Sequence, residues 1–223
     1  MEFQDFFRFP LEDLPFIVLA LILSFTIHEF AHAYSAYKFG DDTAYKEGRV
    51  TLNPVAHLDL LGFILILIAG FGWAKPVPVR ASRFRKPRTM SIVVSAVGPL
   101  SNLLLGIVAI FIYVLLPVTG WLDQASFGVV SAIDKFMTYL ISYNFLLFVF
   151  NLIPLPPLDG YRIVAELMPL RIRYKMEQNV QWGMLIFLLF VFIPPLRRYT
   201  LDPILGLGSS LANEIFAFAM RLL

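Results

Sequence analysis

The chain has 223 residues, 58% hydrophobic and 15% charged, with a mean hydropathy of +0.73. A soluble domain carries about 45–50% apolar and about 25% charged residues, so composition excludes one and implies an α-helical integral membrane protein. The net charge of +2 says little because its distribution matters more, and the absence of cysteine excludes disulfides and thiolate metal sites.

Residues 1–13 form a short head with Glu2, Asp5, Glu12 and Asp13 against Arg8. It lacks the basic start of a cleavable signal peptide, so the first apolar stretch is expected to stay in the mature protein. A first helix is predicted over 14–39, long enough to cross a bilayer, and Gly40-Asp-Asp ends it. Inside it lies His28-Glu-Phe-Ala-His32. Four residues make about one helical turn, so His28 and His32 share a face and can grip one metal ion. Zinc is the usual occupant of H-E-x-x-H, with the glutamate, here Glu29, as general base. Ionisable groups in a lipid-length apolar helix are costly, which favours a functional site over two core histidines satisfied by hydrogen bonds.

Residues 41–59 mix charges and turn residues and read as loop, with a short strand over 49–52. The apolar run 60–73 is too short for a span. The following loop carries Lys75, Arg80, Arg83, Arg85, Lys86 and Arg88 without an acid, which places it in the cytoplasm. With the acidic head outside, a full crossing by 60–73 would bring the basic loop out on the wrong side, so a re-entrant segment, partly a β-hairpin, is expected in preference to a span. The next helix is predicted over 90–116. Gly98, Asn102 and Gly106 share one of its faces, allowing a close helix approach with Asn102 bonding across.

A short outer loop, 117–126, leads to a span over 127–153 with Asn144 and Asn151 inside. It ends in Asn151-Leu-Ile-Pro-Leu-Pro-Pro-Leu-Asp-Gly160, which cannot continue a regular helix. Asp159 is then either the N-cap of a helix over 161–167 or a third metal ligand. Arg162, Arg171, Arg173 and Lys175 mark cytoplasm again. An apolar stretch covers 182–193, and the tail 201–223 is either a further crossing element or an interfacial helix. The expected architecture is about four to six membrane helices in one polytopic domain over 1–223.

Two motifs together, His28-Glu-Phe-Ala-His32 and Asn151-Leu-Ile-Pro-Leu-Pro-Pro-Leu-Asp-Gly160, resemble the signatures of the site-2 proteases, the zinc intramembrane metalloproteases. Gly40-Asp-Asp-Thr-Ala, Gly48-Arg-Val-Thr-Leu-Asn-Pro54, His57-Leu-Asp59, Ala74-Lys-Pro-Val-Pro-Val79 and Gly98-Pro-Leu-Ser-Asn102 look like the small bacterial and archaeal members. The resemblance covers about 20–170, with the C-terminal helices at 178–223 beyond it. It implies one zinc ion per chain held by His28, His32 and Asp159, Glu29 as catalytic base, Asn151 near the substrate, and a membrane-associated hairpin aligning an extended substrate. No PDZ insertion or CBS pair is expected. His57 is the rival third ligand; otherwise His57 and Asn102 are candidates for supporting the ligands or for a gate. Glu47 and Glu166 are weaker ligand options.

The expected activity is cleavage of peptide bonds in or near transmembrane segments of membrane proteins, with a prokaryotic plasma membrane as location and the site toward the cytoplasm. The expected partners are the substrate and the lipid bilayer, with no nucleic acid. The alternatives are a metal-handling or transport protein and a catalytically inactive binder of membrane proteins.

Overall fold

The computed structural model describes residues 9–69 and 72–223. Glu2, Asp5 and Arg8 of the acidic head and Gly70 of the short apolar run lie outside them. The helices are α1 (Leu14–Lys38), α2 (Thr43–Lys46), α3 (Leu60–Ala69), α4 (Pro87–Leu115), α5 (Phe127–Asn151), α6 (Asp159–Leu167), α7 (Leu170–Gln178), α8 (Val180–Phe192) and α9 (Pro194–Arg221). Helices α1, α4, α5 and α9 are long and apolar enough to cross a membrane. The 25 residues of α1 rise about 37 Å, more than the roughly 30 Å hydrocarbon layer. Helix α8, with 13 residues, reaches only about 20 Å.

Helices α1, α4 and α5 pack pairwise into a three-helix core, and α9 packs against α4 and α5. Small residues set the spacing. A Cβ on Gly106 would stand 2.8 Å from the Phe145 ring, and Phe145 anchors a cluster with Ile110, Val114, Ala212 and Ala219. Ala20 and Ala109 let α1 and α4 meet over Met137 and Leu140 of α5. At the end away from the basic loop, Lys135 pairs with Glu12 and Asp13, and the Tyr139 hydroxyl donates to Asp13 at 2.8 Å.

The chain turns out of α1 at Gly40, whose φ of +107° suits glycine. Asp41, fully buried, then accepts from Thr43 N–H at 3.1 Å and from Arg80 N–H at 2.6 Å, tying this turn to the distant 72–80 segment.

Two expectations are corrected. Residues 49–52 form no strand, because Arg49 turns its side chain inward to the carbonyls of Lys75 and Pro76. The run after 60 is not a β-hairpin: α3 is followed by extended chain over 72–80, and no strand occurs among the described residues. A helix satisfies its own backbone groups, whereas a hairpin leaves edges that an apolar setting cannot hydrate. Lys75 N–H donates to His57 O at 2.9 Å, so the chain between them leaves and comes back to one point. A Cβ on Gly72 would stand 1.9 Å from Gly62 O, so the returning chain presses directly on the start of α3.

Candidate metal centre

Helix α1 stacks His28 and His32 one turn apart, and each ring is held through its Nδ1. His32 Nδ1 lies 2.6 Å from Val94 O, a group that can only accept, so this nitrogen carries the proton. His28 Nδ1 lies 2.6 Å from Asn102 Oδ1. The two Nε2 atoms therefore face each other, 3.0 Å apart. Asp159 Oδ2 completes a triangle, 3.3 Å from His28 Nε2 and 3.2 Å from His32 Nε2. Asp159 sits at the start of α6 and makes no capping bond, Leu158 being the N-cap, so its carboxylate is spent on the histidines. Gly160 permits this: a Cβ there would stand 2.2 Å from Leu152 O, where α6 folds back on the end of α5.

With both Nδ1 atoms donating, three acceptors converge in a buried place. Such a triangle needs a cation at its centre, a proton or a metal ion. The spacing suits zinc: ligands about 2.0–2.1 Å from a tetrahedral centre stand roughly 3.3 Å apart.

Glu29 follows the first ligand and is 9% exposed; its Oε2 accepts Val77 N–H at 3.1 Å. Val77 belongs to the extended 72–80 segment, which Arg49 clamps through Lys75 O at 2.5 Å and Pro76 O at 3.3 Å. Arg49 is 4% exposed. Burial lowers its pKa, and the Glu29 and Glu47 carboxylates counter that effect. A cavity of about 620 Å³ joins His28, Glu29, His32 and Asp159 to Asn151 and to the charged Arg162, Glu166, Arg173 and Glu177; Met184 and Leu188 of α8 wall it.

Residues 16–194 match peptidase family M50. The chain belongs to peptidase family M50. It is 49% identical, over 95% of both chains, to a Bacillus subtilis protein named as a zinc metalloprotease, YwhC. It is 29% identical to a Mycolicibacterium smegmatis protein named as a zinc metalloprotease, Rip2, over 82% of this chain and 69% of that one. The Rip2 of Mycobacterium tuberculosis strain H37Rv is 30% identical over 80% and 67% respectively. No solved structure matches.

This M50 metalloprotease is thus a membrane protein with a metal-competent His28, His32 and Asp159 cluster. His57 is not part of that cluster: it is fully buried, with Nε2 at 2.7 Å from Thr51 O. Its backbone oxygen accepts Lys75 N–H at 2.9 Å at the base of the 57–75 loop. Glu47 is exposed, and Glu166 pairs with Arg173 at 2.5 Å. Burial raises the Glu166 pKa, against the pull of Arg173. Asn102 Oδ1 lies against His28 Nδ1, and Asn151 lines the cavity while its amide donates to Leu147 O at 3.0 Å. Sequence reasoning missed Val94 O, Val77 N–H and Arg49. Backbone groups carry no residue signature, and only its place in the Gly48-Arg-Val-Thr-Leu-Asn-Pro54 stretch could have pointed to Arg49.

Proposed function

We propose that the chain is an intramembrane endopeptidase that hydrolyses peptide bonds in or near transmembrane segments of membrane proteins, using one zinc ion. The observation that carries this is the convergence of three acceptors, with a carboxylate beside them, at the inner end of a cavity inside an apolar bundle. His28, His32 and Asp159 would hold the zinc, which supplies Lewis acidity and lowers the pKa of coordinated water to about 7. Glu29 acts as general base. Val77 N–H fixes its Oε2 and leaves Oε1 to take the proton of the attacking water and deliver it to the leaving amine. A transmembrane substrate must unwind to expose its carbonyls. The 72–80 segment and Asn151 border the space for it.

The basic residues of 75–88 and of α6–α7 support a reading in which this end faces the cytoplasm, in the plasma membrane of a prokaryote. Helix α3 then dips in from that face, and the chain forms one polytopic domain over 1–223. Its partners are the lipid bilayer and the membrane-protein substrate.

The test is purified protein in detergent, assayed for zinc content and for cleavage of a defined transmembrane peptide. Glu29→Gln should retain zinc and lose at least about 100-fold in rate, the scale of general-base catalysis. Unchanged cleavage in that variant removes the base assignment. Zinc retained with no peptide cut by the native chain favours metal handling or inactive binding.

A further inference from the structure

We propose that Asn144, on α5, is a positioning residue that sets the protonation pattern of the His28 ring through Asn102. The inference rests on the zinc role proposed for this site. Ser24, Asn102 and Asn144 come from α1, α4 and α5 and are each 0% exposed. Every bond among them has a direction. The Ser24 hydroxyl donates to Ala20 O at 2.7 Å, which turns its lone pairs toward α5. Asn144 Nδ2 donates to Leu140 O at 2.8 Å and to Ser24 Oγ at 2.9 Å. Both hydrogens of that amide are then used, and Asn144 Oδ1 must face Asn102.

Asn102 Nδ2 donates to Asn144 Oδ1 at 2.9 Å and to Ser24 O at 3.1 Å. This leaves Asn102 Oδ1 for His28 Nδ1, 2.6 Å away. An amide oxygen only accepts, so Nδ1 carries the proton and Nε2 keeps its lone pair for the metal position. Turning the Asn102 amide over would oppose oxygen to oxygen at both Ser24 and Asn144. With Asn144 replaced by an apolar residue only one of those conflicts remains, and one buried N–H of Asn102 loses its acceptor. Partners beyond a ligand are typically worth 10–100-fold in metal affinity.

Zinc alone is the probe, titrated by competition with a chromophoric chelator. Asn144→Leu should weaken zinc binding about tenfold and Asn102→Leu about 10–100-fold. The double variant should bind no more weakly than Asn102→Leu, because the effect of Asn144 passes through Asn102. Nitrogen NMR of the His28 ring should show Nδ1 protonated in the metal-free native chain and a tautomer mixture in Asn144→Leu. At saturating zinc, KM should be unchanged. Additive losses in the double variant, or an unaltered zinc affinity with an unaltered tautomer, overturn the proposal. Should Asn144→Leu fail to fold, Ser24→Ala decides: it removes one acceptor of Asn144 and must weaken zinc by a few-fold. Zinc affinity unchanged in these variants while Glu29→Gln is inactive sinks the relay and spares the protease reading; a native chain that binds zinc but cuts nothing does the reverse.

Discussion

At the scale of single residues, the centre depends on what is absent as much as on its ligands. Gly98 lies where α4 crosses the histidine face of α1, and a Cβ there would stand 2.2 Å from His32 Nε2 and 2.8 Å from His28 Nε2. Gly98→Ala should therefore displace the rings and lose bound zinc, at a stability cost of about 1–3 kcal/mol for overpacking. Zinc content with thermal unfolding checks it; native zinc content would show that α4 can retreat. The ligand pair was legible at this scale, because H-E-x-x-H at helical spacing is local. Asn102 was a candidate from the sequence although it stands 74 residues from His28, whereas Val94 O, 62 residues from His32, was not, because a backbone carbonyl carries no residue signature.

At the scale of elements, two devices bring distant segments to the site. Arg88, at the start of α4, donates to the carbonyls of Glu166, Leu167 and Met168, the last two at 2.8 Å. It thereby caps the C-terminal end of α6, whose first residue is Asp159. Arg88→Met should lower stability by about 1.5–3 kcal/mol, the range for hydrogen bonds to a charged group, and weaken zinc retention; unfolding in detergent before and after adding zinc separates the two effects. Arg49 does the corresponding work for the 72–80 segment. Arg49→Met removes the nitrogen that donates to both carbonyls, and should raise KM for a peptide substrate several-fold while zinc content stays native. An unchanged KM would mean that the segment holds its place without the clamp. A dip after 60 was the expectation from charge; the helical form of α3 was not foreseen, because periodicity cannot separate helix from strand in so short an apolar run.

At the scale of the whole molecule, a bundle with an acidic cluster at one end and basic segments at the other has a defined orientation. The chain contains no cysteine, so single cysteines report it without background. A cysteine at Arg85 should react with an impermeant thiol reagent only from the cytoplasmic side, and one at Gln124 only from the other; labelling from the opposite sides would invert the proposed topology. Removing zinc with a chelator should abolish peptide cleavage, and added zinc should restore it. Hydropathy, helix length, the histidine pair and the charge asymmetry were determined by the sequence alone, because each depends on residues close in the chain. The resemblance named Asp159 beside His28 and His32 and left His57 as its rival, and the tertiary structure sets Asp159, not His57, against the pair. Asp159 is 127 residues from His32, and His57, much nearer in sequence, is turned away toward Thr51. A ligand set is a relation among positions in space, and only the packing of α4 against α1 and α6 brings those positions together.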